Sequence, residues 1–323
     1  MRIVDVTAPG GPENLTVSDA PRPSAGPGEI VIRVVAAGVN RADLLQRQGY
    51  YPPPPGISDV IGLEVSGVVD EVGPDVTGWT PGDPAVALLA GGGYAEFVVV
   101  PAGQVLPPPE GVDLVSAAGL IEVAATVVSN FDHVDLVAGE TVLIHGGTGG
   151  IGTFAIQYAT AIGCRVLTTA GSPAKLALCR ELGADVAIDY HDDWAAAVGE
   201  ATAGAGADVI LDVMGAKYLE ANVASLAADG RLVVIGLQGG RKATLDLSLL
   251  LAKRATVTAT SLRFRPVAQK AAICADVLRR AWPLIASGAI RLAPETRFPL
   301  EQVAEAHRRL ESGENTGKIL LTV

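Results

Sequence analysis

The sequence predicts an α/β protein that combines a doubly wound parallel sheet with a second, β-rich region. Three observations support this prediction: strands and helices alternate from about residue 140, short strands between Gly and Pro clusters precede them, and the chain is long. Its 323 residues leave room for about two domains of ~150 residues each. Hydrophobic residues make up 49% of the chain, which is enough for large buried cores.

The first part of the chain is predicted to form short strands. Apolar runs at 30–37, 65–72, 85–89 and 97–100 alternate with clusters of Gly and Pro. Strands at this spacing favour an irregular, partly closed β structure.

The middle of the chain changes to alternating strands and helices. A helix at 173–182 has clear end signals, with Ser172 as N-cap, Pro173 in the first turn and Gly183 as the stop. Beyond residue 261 the pattern is mixed, with helices near 266–287 and 300–312 and a last strand at 318–323. The strands predicted for the parallel sheet are 141–145, 165–170, 186–189, 208–213 and 231–236.

Charge and cysteine content exclude several classes of function. A formal net charge of -11 without a basic cluster argues against nucleic acid or an anionic membrane as a partner. The N-terminus has no apolar signal region, and no uninterrupted apolar stretch of ~20 residues is present, so a cytoplasmic protein is expected. The three cysteines are widely spaced, which predicts core residues rather than a zinc lobe or a disulfide framework.

The strongest motif is a glycine-rich loop at residues 141–152, TVLIHGGTGGIG. It contains G-x-G-x-x-G after an apolar strand and before an amphipathic helix, which is the context that a dinucleotide-binding loop requires. We expect Gly147 to permit the turn, Gly149 to leave room for a pyrophosphate and Gly152 to let the helix pack closely. The residues predicted to contact the phosphates are Gly147, Thr148, Gly149, Gly150, Ile151 and Gly152.

The end of the second strand indicates which dinucleotide binds. An NAD site usually places Asp or Glu there, whereas residues 169–175 are TAGSPAK. Gly171, Ser172 and Lys175 instead suit the 2′-phosphate of NADPH, and a lysine in the first helical turn is unfavourable unless an anion lies nearby. The alternative is that Ser172 only caps the helix and Lys175 is solvated.

Several further segments resemble one known family. They are 38–49 (GVNRADLLQRQG), 62–67 (GLEVSG), 87–94 (ALLAGGGY) and 311–313 (ESG) with 317–319 (GKI). Along essentially the whole chain they are similar to zinc-free quinone oxidoreductases of the medium-chain dehydrogenase/reductase superfamily. The resemblance is closest to the branch that includes the p53-inducible quinone oxidoreductase.

The resemblance implies a GroES-like, β-rich catalytic domain at 1–122 and 261–323 and a Rossmann NADPH-binding domain at 123–260. It also implies a homodimer, in which the β-rich stretch 256–262 pairs across a two-fold axis. Zinc relatives carry Cys where this chain has Asn40, and G-H-E where it has Gly62, Leu63 and Glu64. No metal site is therefore expected, and Glu64 is expected to be structural.

Without a metal, the chemistry favours an acceptor that is already electrophilic, such as a quinone or an enone. The resemblance places Tyr51, and less firmly Asn40, beside the nicotinamide as candidate catalytic residues; simple loop packing is the alternative for Tyr51 and for Tyr50. Asp43 is expected to pair with an arginine. The cofactor contacts that the resemblance implies are Tyr190, Leu237, Gly239, Phe264 and Lys318, and interdomain packing is the alternative for Phe264.

Two rival functions stay open at this stage. An enone or enoyl-thioester reductase would need basic residues at the mouth of a groove, and Arg41, Arg47, Arg263 and Arg265 are the candidates. A non-catalytic NADPH-binding protein is the other possibility, and the retained Asn40 and Tyr51 argue against it.

Overall fold

The computed structural model describes residues 1–323, and the chain divides into two compact units. We call the first the β-rich unit; it consists of Met1–Ala125, Leu262–Ser287 and Leu292–Val323. We call the second the parallel-sheet unit; it consists of Thr126–Ser261 and Gly288–Arg291. The β-rich unit is thus built from both ends of the chain.

The β-rich unit is organised around one long strand. Its strands are β1 (Arg2–Val6), β2 (Leu15–Asp19), β3 (Glu29–Val39), β4 (Glu64–Val72), β5 (Pro84–Leu88), β6 (Phe97–Pro101) and β7 (Val105–Leu106), with β14 (Glu295–Pro299) and β15 (Lys318–Thr322) near the C-terminus. The 11-residue β3 pairs antiparallel with β4 on one side and with β6 and β15 on the other. Ile30, Ile32 and Val34 alternate along β3 and point into the buried core.

The helices of the β-rich unit connect these strands. They are α1 (Arg41–Arg47), α2 (Leu114–Ala117), α9 (Val267–Arg280), α10 (Trp282–Ala286) and α11 (Val303–Glu311). α3 (Ile121–His133) begins in this unit and ends in the other. The segment Leu114–His133 has the length and hydropathy of a membrane span, but 83% of it is buried inside the protein. It is therefore a core segment of the folded chain rather than an exposed membrane span.

The parallel-sheet unit contains one six-stranded sheet in which every pair is parallel. Its strands are β8 (Thr141–His145), β9 (Arg165–Ala170), β10 (Val186–Asp189), β11 (Ala207–Asp212), β12 (Leu226–Val234) and β13 (Thr256–Ala259). The helices that follow α3 are α4 (Gly150–Ala161), α5 (Pro173–Glu181), α6 (Trp194–Ala201), α7 (Leu219–Ser225) and α8 (Leu247–Lys253). The strand order β10-β9-β8-β11-β12-β13 reverses between β8 and β11, where such sheets bind ligands.

The core of this unit takes one residue from each of five neighbouring strands. They are Leu143, Leu167, Ile188, Ile210 and Leu232. Because alternate side chains of a strand share a face, these residues form one apolar layer, and buried residues of α6 and α7 pack in the same cluster.

Two predicted strands differ from the structure by more than two residues at one end. β12 begins at Leu226 rather than at 231, and its pairing with β11 is irregular between Ala207 and Val209. The irregularity coincides with Asp229, whose φ is +61°, an unusual value for a residue other than glycine. The β-rich stretch predicted at 256–262 forms a strand only as far as Ala259.

Candidate cofactor and acceptor sites

The loop between β8 and α4 is tied down through its backbone. Gly147 N–H donates to the Thr169 carbonyl on β9 at 2.9 Å. Gly147 was expected to permit the tight turn; the residue that adopts the left-handed conformation in this turn is its neighbour Gly146, whose φ is +77°. The 12-residue α4 then begins at the N-cap Gly149, and no side chain bonds to the amides of its first turn. Such a helix N-terminus favours an anion, because its amides and its dipole point at the same place.

The glycines of this loop differ in what surrounds them. A Cβ on Gly147 would lie 2.8 Å from Cys179 Sγ, and a Cβ on Gly152 would lie 2.6 Å from Gly147 Cα. On Gly149, however, a Cβ would meet only the Gly146 carbonyl, at 3.6 Å. Gly147 and Gly152 therefore permit close packing of the loop, whereas Gly149 leaves an open face. A pyrophosphate fits here, since it must approach the backbone closely.

His145 supports the loop, and sequence reasoning missed it. Its ring is buried, with Nε2 2.7 Å from Asn222 Oδ1 and Nδ1 3.1 Å from Thr169 Oγ1. Burial lowers the pKa of His145 to about 4, so the imidazole is neutral at pH 7. The neutral ring donates to Asn222 and accepts from the Thr169 hydroxyl, which in turn accepts from Gly146 N–H at 3.3 Å. The signal was available: a histidine at the strand end directly before the glycines.

The end of β9 carries the residues predicted to distinguish NADPH from NADH. Ser172 caps α5 as predicted, because its hydroxyl accepts from Lys175 N–H at 3.3 Å. Gly171 lies against Tyr190, and a Cβ there would come within 2.8 Å of the ring carbon Cε1. Gly171, Ser172, Lys175 and Tyr190 are thus brought together beside the first turn of α5.

An acid does lie beside this segment, on the neighbouring strand. Asp189 is in register with Ala170, and its carboxylate accepts from His191 Nδ1 at 2.7 Å and from His191 N–H at 3.0 Å. These hydrogen bonds lower the pKa of Asp189. Asp189 ends β10 rather than β9, so the segment 169–175 at the end of β9 does not contain it.

The loops after β11 and β12 are joined by backbone bonds. Gly239 N–H donates to the Met214 carbonyl at 2.7 Å, and Gln238 N–H donates to the Val213 carbonyl at 3.2 Å. The side chain of Leu237 is 54% exposed at this edge. The predicted cofactor residues of the parallel-sheet unit therefore lie at the carboxyl ends of β8, β9, β10 and β12, the edge where ligands bind.

In the β-rich unit, Asn40, Glu64 and Lys318 form a closed triangle of side chains. Lys318 Nζ donates to Glu64 Oε1 at 2.6 Å and to Asn40 Oδ1 at 2.8 Å, while Asn40 Nδ2 donates to Glu64 Oε1 at 2.9 Å. All three residues are buried, and Glu64 is fully so. Glu64 Oε2 also accepts from Glu122 N–H at 3.0 Å, which agrees with its expected structural role. We call this group the Lys318 triangle.

The Lys318 triangle does not fit a catalytic zinc. The carboxylate that would face a metal already bonds to an ammonium, and its neighbour is an amide rather than a thiolate. Elsewhere, no group of three or more His, Cys, Asp or Glu side chains is placed to hold a metal. The three cysteines are free and buried, as predicted.

Tyr51 and Phe264 form an aromatic pair in the β-rich unit. Their ring centroids are 5.4 Å apart and the rings are perpendicular. Phe264 is 51% exposed, so the pair presents an aromatic surface to solvent, which we call the aromatic wall. Tyr50 does not contribute to the pair and is 73% exposed.

Three expectations about charged residues were wrong. Asp43 is buried and pairs with no arginine; it accepts from Asn40 N–H at 2.7 Å and from the Tyr94 hydroxyl at 3.0 Å, and burial raises its pKa to about 7. Arg47 is also buried and forms an ion pair with Glu311. Arg263, likewise buried, donates inward to the protein. Neither arginine is available at the mouth of a groove, a difference that local sequence could not reveal.

These features define a dinucleotide-binding oxidoreductase, and comparison with known proteins identifies the family. Residues 26–110 match the alcohol dehydrogenase GroES-like domain, and residues 150–274 match the zinc-binding dehydrogenase domain. A quinone oxidoreductase from Pseudomonas aeruginosa is 34% identical over 324 residues, with 98% of each chain covered. The protein belongs to the medium-chain dehydrogenase/reductase superfamily, and the predicted pairing of a Rossmann fold with a GroES-like domain is confirmed.

Two solved structures extend the comparison. The mycobacterial protein Rv1454c, in complex with NADPH, is 35% identical with a TM-score of 0.91 over 100% of both chains. JamJ enoyl reductase is 25% identical with a TM-score of 0.89 and covers 99% of this chain and 98% of its own. Curated mycobacterial polyketide synthases also match, at 32% identity, and the chain spans 15% of their length.

Proposed function

We propose that this protein uses NADPH to reduce quinones by hydride transfer without a metal. The observation that carries the proposal is the uncapped glycine loop at the strand-order reversal, followed by a β9 end with Ser172 and Lys175 and no acid of its own. The acid on the neighbouring strand, Asp189, already accepts two hydrogen bonds from His191. The relatives support it, since one is named a quinone oxidoreductase and another was solved with NADPH.

Different residues of the parallel-sheet unit would bind different parts of NADPH. The amides from Gly149 to Gly152 would hold the pyrophosphate, and Ser172 and Lys175 would hold the 2′-phosphate. Tyr190, Leu237 and Gly239 would line the adenosine and ribose. When bound, NADPH supplies the hydride; the chain supplies orientation, exclusion of water and charge.

The β-rich unit would supply the acceptor site. Lys318 and Phe264 would contact the nicotinamide end, and Tyr51 would donate a hydrogen bond to the acceptor oxygen as negative charge develops there. Asn40 would be oriented by its two bonds within the Lys318 triangle. A quinone needs no Lewis acid, because its carbonyl carbons are already electrophilic.

The test is oxidation of NADPH by the purified protein, with menadione and an enoyl thioester compared side by side. Rapid turnover of menadione, retained after exhaustive chelation, is the expected result. Turnover of the thioester alone would replace the proposal with its rival. Cofactor binding without turnover of either acceptor would indicate a non-catalytic NADPH-binding protein.

An activated-alkene reductase is the second candidate, and the likeness to JamJ enoyl reductase favours it. Hydride addition to an enone or enoyl thioester also needs no metal. A carrier-bound substrate would, however, require basic residues at the site. Of the four arginines considered, only Arg41 is exposed, and Arg265 is half-buried.

We also propose a homodimer. β13 is the outermost strand of the parallel sheet, so one of its edges has no partner strand within the chain. Pairing of this edge with a second copy would satisfy its backbone groups and continue the sheet through both subunits. Small-angle scattering at micromolar concentration should give the mass of a dimer; the mass of a monomer would contradict the proposal.

A further inference from the structure

The β-rich unit contains a buried guanidinium whose acceptors are all neutral. Arg263 is only 4% exposed. Its Nε donates to the Ala90 carbonyl at 2.7 Å, one terminal nitrogen donates to the Tyr51 carbonyl at 3.0 Å, and the other donates to Gln46 Oε1 at 2.7 Å. A buried charge that meets only neutral partners is costly to fold, so stability alone does not explain it.

The guanidinium lies directly behind the aromatic wall. Its central carbon is 5.1 Å from the centroid of the Tyr51 ring, which is within cation–π range. The next residue along the chain, Phe264, contacts the same ring edge-on at 5.4 Å. The Tyr51 ring is thus held by two adjacent residues, one of which carries a permanent positive charge.

A second buried cation adjoins the first. Lys270 is 5% exposed, and its Nζ donates to the Arg263 carbonyl at 3.3 Å. The acid with an electrostatic influence on Arg263 is Asp43, whose pKa burial raises to about 7. Asp43 forms no ion pair with Arg263, because its carboxylate accepts instead from Asn40 N–H and from the Tyr94 hydroxyl, and the raised pKa weakens its negative charge at neutral pH. The region behind the aromatic wall is electropositive.

We propose that Arg263 is a positioning residue that makes the aromatic wall electropositive, so that the site selects aromatic acceptors whose reduced form carries negative charge on oxygen. This inference rests on the reductase function proposed above and specifies its substrate class. Hydride addition to a quinone places two electrons on the ring and its oxygen, giving a hydroquinone anion that takes up one proton. A positive charge behind Tyr51 stabilises that anion and strengthens the hydrogen bond from the Tyr51 hydroxyl.

An aliphatic enolate would also be anionic, but it has no ring to stack on the wall. The site is therefore expected to prefer ligands that have both an aromatic ring and a negative charge over ligands that lack either one. Both can be measured by binding alone, with no turnover and no cofactor. The probes are naphthoate, which is aromatic and anionic, and naphthamide, its neutral amide.

The experiment is calorimetric titration of the full chain with each probe. Wild type should bind naphthoate about ten-fold more tightly than naphthamide, and Arg263→Met should bring that ratio close to one. Arg263→Lys should keep most of the preference, because the charge remains. Arg279→Met is the control: Arg279 is an exposed arginine on α9 of the same unit, paired with Asp276, and the variant should keep all of the preference.

A second variant separates the charge of Arg263 from the hydrogen bonds that hold its guanidinium in place. Gln46→Leu removes one acceptor of the guanidinium but keeps the positive charge, so the preference for naphthoate should persist. In the NADPH assay, Arg263→Met should lower kcat for menadione while the affinity for NADPH stays unchanged. If Arg263→Met does not fold, Arg263→Lys and Gln46→Leu still test the proposal, because both variants keep the positive charge. Loss of the preference for naphthoate over naphthamide in both would show that Arg263 has a purely structural role.

The outcomes distinguish this inference from the proposed function. Reduction of menadione by a wild type that binds both probes equally would overturn the role of Arg263 and leave the reductase intact. An Arg263-dependent preference for naphthoate without reduction of any acceptor would overturn the reductase and retain the anionic aromatic site. An unchanged ratio in Arg263→Met would also overturn the inference.

Discussion

The glycine loop of the parallel-sheet unit and the aromatic wall of the β-rich unit are built in opposite ways. The loop offers backbone amides, and its glycines matter because they have no side chain. The wall consists entirely of side chains, and Tyr51 and Phe264 lie far apart in the sequence. A site made of backbone appears as one local motif, whereas a site made of side chains exists only once the fold has assembled it.

The largest effect is expected in the Lys318 triangle, where side chains from distant parts of the sequence meet in the interior. Glu64→Gln leaves a buried ammonium without its carboxylate, so the free energy of unfolding should fall by about 3–5 kcal/mol. Lys318→Met should cost a similar amount, because it leaves a buried carboxylate unpaired. The double variant should recover much of the loss, as measured by urea unfolding. A single variant as stable as wild type would show that the triangle is not an ion pair of consequence.

The next largest effect is expected at Gly152, in the glycine loop that is built from backbone. Gly152→Ala would place a Cβ 2.6 Å from Gly147 Cα, so the loop must shift and the affinity for NADPH should fall about 100-fold or more. Fluorescence titration of the cofactor measures this directly. Gly199→Ala is the control in the same unit: it lies within α6, nothing lies within 4 Å of its Cβ, and it should gain about 0.5–1 kcal/mol of stability. If Gly152→Ala and Gly199→Ala bound NADPH with equal affinity, close packing at Gly152 would not be what the cofactor site requires.

Lys175 is the one charged side chain assigned to the cofactor beside the loop. Lys175→Ala should weaken NADPH binding by about 1.5–3 kcal/mol, because a charge-assisted bond to the 2′-phosphate is lost. NADH has no 2′-phosphate and serves as the internal control, so its affinity should not change. Equal losses for both cofactors would assign Lys175 to the general integrity of α5 instead.

Tyr51 should show the smallest effect. Tyr51→Phe removes the hydroxyl and keeps the ring contact with Phe264, so kcat should fall by less than the ~2.7–4 kcal/mol seen at strong oxyanion sites. Tyr51→Ala removes the ring as well and should also raise KM for the acceptor. Steady-state kinetics with several quinones separates the two. Wild-type kinetics in both variants would leave Tyr51 as a loop-packing residue.

What the sequence predicted correctly follows from local physical chemistry. The strands β8, β9 and β10 were predicted to the residue, because apolar strands bounded by Gly and polar turns have sharp ends. The Ser172 cap and the glycine loop were equally visible, since each depends on neighbours within a few positions. The strands, the helix cap and the glycine loop of the parallel-sheet unit were therefore predictable from local sequence.

The remaining features depend on contacts between distant segments. Nothing near Arg263 in the sequence indicates that its guanidinium reaches Gln46, Tyr51 and Ala90. Asp43 likewise seemed available to an arginine, but the fold buries it against Tyr94. Both side chains were expected to be accessible to ionic partners, and both are instead buried and hydrogen-bonded to neutral groups. Burial is a property of the assembled fold and is not evident from the local sequence.

The buried cysteines have a consequence for the proposed reduction of quinones. Quinones arylate thiols, and the reactive species is the thiolate. Burial raises the pKa of Cys164 and Cys179 to about 11 and that of Cys274 to about 12. At pH 7 all three are therefore almost entirely in the unreactive thiol form, and all three are buried. Under the proposed function, the chain therefore presents its electrophilic acceptor with no exposed cysteine thiolate that could be arylated in place of productive reduction.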